Sequence, residues 1–420
     1  FGYFQIVLGY FVGYLVIAYV LLPIYYKLNL TSIYTYLNAR FGNISYKTGA
    51  IAFLISRVVG ASFRLFLVAK VLQLLVFDPL EIPFTITVLI TIGLIWLYTF
   101  KGGIKTIIFT DTLQTLFMLI SVVVTIVFLA NALDLNSFSQ VYTAVSESDM
   151  SKIFFFEDHN NPQFFIKSFL AGMFITITMT GLDQDMMQKN LTCKNLKEAQ
   201  KNMISFSFIL VFVNLLFLAL GLLLTVYASQ NGITATKDDL FPTVAMLPEI
   251  GVVTSAFFLL GLIAAAYSSA DSALASLTTS FCIDIIDIES KKEQKRKRIR
   301  KQTHIGFSIL LALVIIAFNF IFTDVSVIWE LFKAAGYTYG PLLGLFAFGI
   351  FTKKHIKDKW VWVIALIAPI VSYILNANSE MLFNGYKIGF EILIVNGLFT
   401  FIGLLLISQK KQSPIDITPN

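Results

Sequence analysis

Long apolar runs are the feature that most constrains the fold of this 420-residue chain. A helix that crosses a bilayer needs about 20 apolar residues, and windows of that length find eleven such runs. Only 13% of the residues are charged, about half the share in a soluble domain. The sequence therefore predicts an all-α polytopic membrane protein. Its segments lie near 3–26, 48–77, 82–99, 105–132, 164–187, 203–228, 251–283, 304–323, 327–352, 360–376 and 388–408.

The composition also excludes several classes of protein. A soluble enzyme or a disordered chain would carry more charge, and two cysteines, Cys193 and Cys282, cannot build a disulfide scaffold. Three distant histidines match no metal spacing. No nucleophile elbow or phosphate-binding loop is present in the sequence. We therefore expect that the protein is not an enzyme and uses no organic cofactor.

The basic residues predict the orientation in the membrane. Most of the 31 lysines and arginines fall in alternate loops, most densely at 291–301, and such loops face the cytoplasm. The first segment is thus predicted to enter from outside, and the C-terminus to be cytoplasmic in a bacterial-type cytoplasmic membrane. The basic run then faces the bilayer surface, so a nucleic-acid partner is not expected. We expect a monomer or a loose oligomer.

Polar residues at membrane depth need a partner or a function. In the seventh segment, helical spacing puts Ala265, Ser268, Ser269 and Ser272 on one face, with Asp271 beside it. Hydroxyl and carboxylate oxygens on one face suit a small alkali cation. The alternative is that small residues only let helices pack closely, with the hydroxyls bonded to the preceding turn.

A second intramembrane acid is Asp111. Gly102 and Gly103 break the chain at the predicted cytoplasmic surface, so Asp111 lies about two turns into the next helix. An acid at that depth is expected to be paired, protonated or bound to a cation. The alternative is a favourable interaction with the helix dipole.

These stretches resemble the sodium:solute symporter family. The resemblance runs in family order from about residue 3 to residue 408, with specific blocks at 98–114 (Gly-Gly…Thr-Asp-x-x-Gln), 265–284 (Ser-Ser-x-x-Ser…Asp-Ile), 31–42, 184–200 and 340–354. It implies a LeuT-type 5+5 inverted-repeat core that lacks its first core helix, which would precede Phe1. It also implies one transporter domain over 1–420, with core helices at about 3–352, two accessory C-terminal helices at about 360–408 and a cytoplasmic tail at 409–420.

The same resemblance implies where cations bind. The family's sodium site corresponds to the Ala265 carbonyl and the Ser268 and Ser269 hydroxyls. A second cation site corresponds to Asp111, Ser268, Asp271 and Ser272. Because Asp271 stands where the family usually has serine, two carboxylates face one cation here, and they could share a proton instead. Na⁺ is the coupling ion and the single metal expected.

The second segment carries two arginines that bear on the solute. Arg57 and Arg64 are seven residues apart on one face, and Arg64 is about 24 Å along the helix axis from residue 48. A guanidinium at membrane depth suits a carboxylate, which it can bind through two hydrogen bonds. The alternative is a structural ion pair with Asp183 or Asp185.

The remaining solute contacts are predicted by position in the family. Lys333 stands where sugar-carrying relatives offer an amide, and their sugar-contacting positions are Thr176 and Met179 here. Gln5 and Tyr10 line the same predicted cavity. Lys333 could instead pair with the glutamate three residues before it, or extend to the membrane surface.

Together these residues favour a sodium-coupled symporter. We expect it to import a small carboxylated solute (sialic acid, a monocarboxylate or an amino acid) by alternating access. The alternatives are a sodium/sugar symporter and a non-transporting sensor module on the same fold.

Overall fold

The computed structural model describes residues 1–28, 30, 32–99, 104–235, 237–322 and 326–409. Within this range it describes the backbone alone at 98–99, 104–110, 237, 253 and 265–269. The helices of the first half are α1 (Phe4–Val16), α2 (Leu22–Lys27), α3 (Thr35–Arg40), α4 (Asn43–Leu72), α5 (Phe84–Thr99), α6 (Ile104–Ala132), α7 (Phe138–Ser146), α8 (Phe165–Thr176), α9 (Gln184–Asn190) and α10 (Leu196–Gln230).

The second half continues the all-helical pattern, apart from one pair of short strands. Its elements are α11 (Leu240–Ala245), α12 (Val252–Ser280), α13 (Glu293–Ile321), α14 (Val327–Thr338), α15 (Gly340–Phe351), β1 (His355–Ile356), α16 (Val361–Ala377), α17 (Ser379–Leu382), α18 (Ile392–Leu406) and β2 (Ser408–Gln409). β1 pairs antiparallel with β2, with His355 opposite Gln409. Single π-helical turns extend or link α1, α4, α8 and α12 at Ile17–Leu21, Gln73–Phe77, Ile177–Gly181 and Phe281–Ile285.

The predicted apolar segments all coincide with helices. Among the described residues, six helices are long and apolar enough to cross a membrane. Two further spans are bent pairs, α8 with α9 at 71° and α14 with α15 at 47°. Three shorter apolar helices lie at 84–97, 254–264 and 392–406. The predicted all-α polytopic class is therefore confirmed, whereas the division of 1–420 into core, accessory helices and tail stays a prediction.

Glycines bring α1 and α8 into backbone contact. A Cβ added to Gly9 would lie 2.1 Å from the carbonyl oxygen of Phe169, and one on Gly172 would lie 2.2 Å from that of Ile6. Gly13, one turn after Gly9, faces α8 in the same way. Small residues spaced by four let membrane helices approach this closely, because packing rather than the hydrophobic effect holds them together in lipid. This contact fixes where the middle of α8 lies.

Arg40 ties the loop before α4 to the end of α15. Its guanidinium donates hydrogen bonds of 3.2, 2.7 and 2.9 Å to three carbonyl oxygens, those of Gly349, Thr352 and Lys354. The last carbonyls of a helix lack intrahelical partners, so an arginine here satisfies them and also complements the helix dipole. Arg40, near the end of the 31–42 block, thus has a structural function.

Gly42 and Asp358 form the start of α4. Gly42 has φ +142°, and a Cβ there would lie 2.5 Å from Asp358 Oδ2. The Asp358 carboxylate accepts hydrogen bonds from the backbone N–H groups of Ile44 and Ser45, at 2.9 and 2.8 Å. An acid from a distant loop therefore caps α4, and glycine leaves the room for it.

Candidate functional site

The centre of the candidate site is the break between α8 and α9. The π turn ends at Gly181, and the chain then turns through Leu182 and Asp183 before α9 begins. Breaking a helix frees carbonyl groups, which need partners when they lie at membrane depth. The hydroxyl of Tyr25 donates to the Gly181 carbonyl at 2.8 Å, and that of Tyr34 donates to the Leu182 carbonyl at 3.0 Å. Two tyrosine side chains thus satisfy the two carbonyl groups at the break.

Asp183 organises the far side of the break. Its side chain caps α9 by accepting from the backbone N–H of Asp185 at 2.9 Å, and it also accepts from the Tyr339 hydroxyl at 2.8 Å. Arg57 of α4 forms an ion pair with Asp185 and lies 3.8 Å from Asp183 Oδ2. All three charged side chains are buried. The alternative proposed for the two arginines, a structural ion pair, therefore describes Arg57.

Arg64 differs from Arg57 in its partners. It lies two turns further along α4, about 10 Å along the axis, and is half-buried. The charges that act on it are those of Arg57, Asp183 and Asp185. Among the described residues, however, it forms neither an ion pair nor a hydrogen bond. A guanidinium in this position offers five N–H donors to a ligand.

The carboxylate of Asp111 is in contact with a cationic side chain. Lys189, in the last turn of α9, donates to Asp111 Oδ2 at 2.9 Å and to the Ser272 hydroxyl of α12 at 2.8 Å. Two of the four residues predicted for the second cation site are thus brought together by an ammonium group. The sequence did not indicate Lys189 as a residue of this cluster, because its position places it among the basic residues of a predicted cytoplasmic loop.

Asp271 completes this cluster. It is 0% exposed, and neither of its carboxylate oxygens has a hydrogen-bond partner among the described residues. The charges of Asp111 and Lys189 act on it. An orphaned carboxylate in a buried position is costly unless a cation or a proton accompanies it.

The predicted first sodium site falls outside the described side chains. The backbone around Ala265, Ser268 and Ser269 is α-helical, within α12. The assignment of sodium to this part of α12 stays a prediction.

A large cavity opens beside the Lys189 cluster. Its volume is about 1100 Å³, and its walls come from α1, α6, α9 and α10, with Tyr14, Asp111, Thr180 and Lys189 among the lining residues. The segment between α9 and α10, which the charge pattern predicts to be cytoplasmic, forms the rim. Cys193 lies on that rim, where burial and the charge of Glu198 raise the pKa of its thiol.

Side chains pack closely around Lys167, at the other end of the broken span. Lys167 of α8 is 7% exposed, lies 3.5 Å from Glu391 Oε1 and sits 3.9 Å from the centre of the Tyr386 ring. Trp329 and Phe390 stack beside it, with ring centroids 4.6 Å apart. The cavity between them holds only about 60 Å³. The cavity beside Lys189 is thus far larger than this one.

The other predicted solute contacts do not meet at one point. Gln5 is 0% exposed. Its amide nitrogen donates to the carbonyl groups of Gly2 and Gln163, and its amide oxygen accepts from the backbone N–H of Phe155. The Tyr10 hydroxyl lies 3.1 Å from that of Tyr3. Thr176 packs against Gly13 at the contact of α1 and α8. Their contact with solute stays a prediction.

Lys333 has a neighbour on its own helix. Its ammonium lies 3.9 Å from Glu330 Oε2, and its side chain is 55% exposed. This is the alternative contact that the sequence left open, and at that distance and exposure it is a weak one.

The chain resembles known transporters over nearly all of its length. The sodium:solute symporter family model matches residues 1–359. The sodium/sialic acid symporter NanT of Aliivibrio fischeri is 27% identical over 394 residues, which cover 90% of this chain and 75% of that protein. The sodium/sialic acid symporter SiaT of Proteus mirabilis is 27% identical over 419 residues, covering 95% and 80%.

A solved structure supports the same fold. The substrate-bound outward-open state of a Na⁺-coupled sialic acid symporter superposes with a TM-score of 0.77 at 21% identity, covering 96% of this chain and 84% of that one. This likeness confirms the predicted transporter fold. The family model spans most of the chain. The chain belongs to the sodium:solute symporter family.

Proposed function

We propose that this protein imports a small carboxylated organic solute and couples its uptake to the inward flow of sodium. Arg64 is the observation that carries the choice of solute. It is a half-buried guanidinium near the helix break, and no described acid neutralises it directly, whereas Arg57 on the same face is held by two aspartates. A carboxylate can bind such a group through two charge-assisted hydrogen bonds.

Charge balance favours transport of the anion together with a cation. Around the break, Arg57 and Arg64 balance Asp183 and Asp185. A carboxylate that bound alone would leave this buried region with a net negative charge, which is costly away from water. One sodium bound nearby restores the balance, so each ligand raises the affinity for the other. This linkage is the thermodynamic basis of symport.

For the sodium we propose the Ala265 carbonyl and the Ser268 and Ser269 hydroxyls on α12. This helix also carries Asp271 and Ser272 one turn further on, so a sodium there lies beside the acidic cluster. Gln5, Tyr10, Thr176 and Lys333 remain proposed solute contacts of lower rank, since each has a contact within the protein. Sodium release would favour the conformation seen here, in which a large cavity lies beside Lys189.

Sialic acid is the first solute to test, because both NanT and SiaT are named sodium/sialic acid symporters. The proposed location is a bacterial-type cytoplasmic membrane with a cytoplasmic C-terminus, which puts the open cavity on the cytoplasmic side. A sodium/sugar symporter is the second candidate, and a glucose arm of the same experiment decides it.

The test follows labelled solutes into proteoliposomes with and without an inward sodium gradient. Sialic acid, lactate, proline and glucose form the panel. We expect sodium-driven uptake of a carboxylated solute, and in Arg64→Gln a loss of apparent affinity of about tenfold or more, the equivalent of one charge-assisted hydrogen bond. Lys70→Gln, six residues further along the same helix and also half-exposed, is the matched control and should transport normally.

Two results would contradict the proposal in different ways. Sodium-driven glucose uptake that is indifferent to Arg64→Gln would refute the carboxylate and leave the coupling. No sodium-dependent flux of any solute would refute the coupling itself and favour a sensor module.

A further inference from the structure

We propose that the ammonium group of Lys189 is a resident cation in the second cation site, so that a single sodium accompanies each solute. This inference rests on the proposed sodium-coupled transport and specifies its stoichiometry. It concerns the cluster of Asp111, Lys189, Asp271 and Ser272, which joins α6, α9 and α12.

The geometry puts the ammonium where a second sodium would bind. Lys189 Nζ lies 2.9 Å from Asp111 Oδ2 and 2.8 Å from Ser272 Oγ. These oxygens are two of the ligands that a cation between α6 and α12 would use. A sodium held by the same two atoms would be in direct contact with another positive charge, so the ammonium and the sodium exclude each other.

The burial of the cluster distinguishes this arrangement from a surface ion pair. Ser272 is 5% exposed, and Asp271 is 0% exposed with both oxygens unpartnered among the described residues. The lysine side chain is itself only 32% exposed. Its ammonium group lies between the buried Ser272 hydroxyl and the Asp111 carboxylate, whose side chain is 27% exposed. Removing an ammonium group from water is costly unless hydrogen bonds and opposite charges compensate for the lost hydration.

When both acids are ionised, the charges of the cluster are balanced by one sodium. Two carboxylates and one ammonium sum to one negative charge, in a region where Asp271 has no partner. One sodium at Ser268 and Ser269, which lie within one turn of Asp271 along α12, brings the sum to zero. A second sodium would make it positive. Without Lys189, the same two acids would require two cations.

The decisive measurement is the ratio of sodium to solute taken up by proteoliposomes, with ²²Na and labelled sialic acid followed together. For the natural protein we expect about one sodium per solute and a Hill coefficient for sodium near one. For Lys189→Met we expect the ratio and the Hill coefficient to rise toward two. Lys189→Arg keeps the charge and should stay near one. Lys197→Met removes an exposed lysine of α10 and should change nothing.

Either of two results would overturn the inference. A ratio of two sodium ions per solute, or a Lys189→Met variant that transports with an unchanged ratio, would show that Lys189 holds no cation position. If Lys189→Met does not fold, the ratio of the natural protein still decides. If no solute shows sodium-driven flux, the proposed function fails first. The cation site is then tested separately by the rise of the melting temperature with sodium concentration. We expect the curve for the natural protein to fit one sodium site. A curve that requires two sites would refute the resident role of Lys189.

Discussion

Replacing Arg57 with glutamine should destabilise the protein far more than removing an exposed charge. Arg57 is 3% exposed, pairs with Asp185 and lies 3.8 Å from Asp183. Without it, two buried carboxylates face each other with no cation between them. Breaking a buried ion pair from one side costs about 3–5 kcal/mol of unfolding free energy, because the remaining charge is left uncompensated. Here two charges are left, so we expect the upper part of that range.

The assay is equilibrium unfolding in mixed micelles, followed by tryptophan fluorescence. Lys387→Gln is the matched control, because its pair with Glu380 is 3.2 Å long but about two-thirds exposed and should be worth no more than about 1 kcal/mol. The double variant Arg57→Gln/Asp185→Asn should recover part of the loss, since it removes one orphaned charge. Equal losses for Arg57→Gln and Lys387→Gln would refute the argument.

Two further substitutions test the packing that positions the site. Asp358→Ala removes the cap of α4 and should lower the unfolding free energy by about 1–2 kcal/mol, whereas Glu157→Ala, whose side chain is 91% exposed, should leave the same measurement unchanged. Gly172→Leu should abolish the backbone contact of α1 with α8 and give little monodisperse protein. Gly221→Leu, in a helix where an added Cβ meets nothing within 4 Å, should be purified in normal yield, and equal yields of the two would contradict the role of this contact.

The helical part of the fold could be predicted because it depends on local properties. Length and hydropathy are enough to locate apolar helices, and all eleven predicted segments coincide with helices or bent pairs. The break between α14 and α15 was predictable, since Gly340 and Pro341 mark it in the sequence. The break at Leu182 was not, because its stabilisation comes from Tyr25 and Tyr34, which are distant along the chain. The pairing of β1 with β2 was missed for the same reason.

The candidate site was predictable in its residue types but not in its pairings. Asp111 was expected to need a partner or a cation, and an ion pair of an arginine with Asp183 or Asp185 was weighed. Periodicity could not decide which arginine forms it, because Arg57 and Arg64 share one helix face. Lys189 was missed because a count of basic residues gives the side of the membrane and not the direction of a side chain. Only the packing of α9 against α12 turns that lysine inward.

The two charge networks meet on one short helix. Asp185 and Lys189 are four residues apart on α9, and they bind α4 in one direction and α6 with α12 in the other. Moving α9 away from either neighbour separates opposite charges, which is costly at membrane depth unless another ion replaces the lost partner. A sodium at Ser268 and Ser269 would bind on α12, and a carboxylated solute at Arg64 would bind on α4, which are helices that α9 contacts. If the proposed function holds, the two ligands are coupled because both change the cost of moving α9 away from these helices.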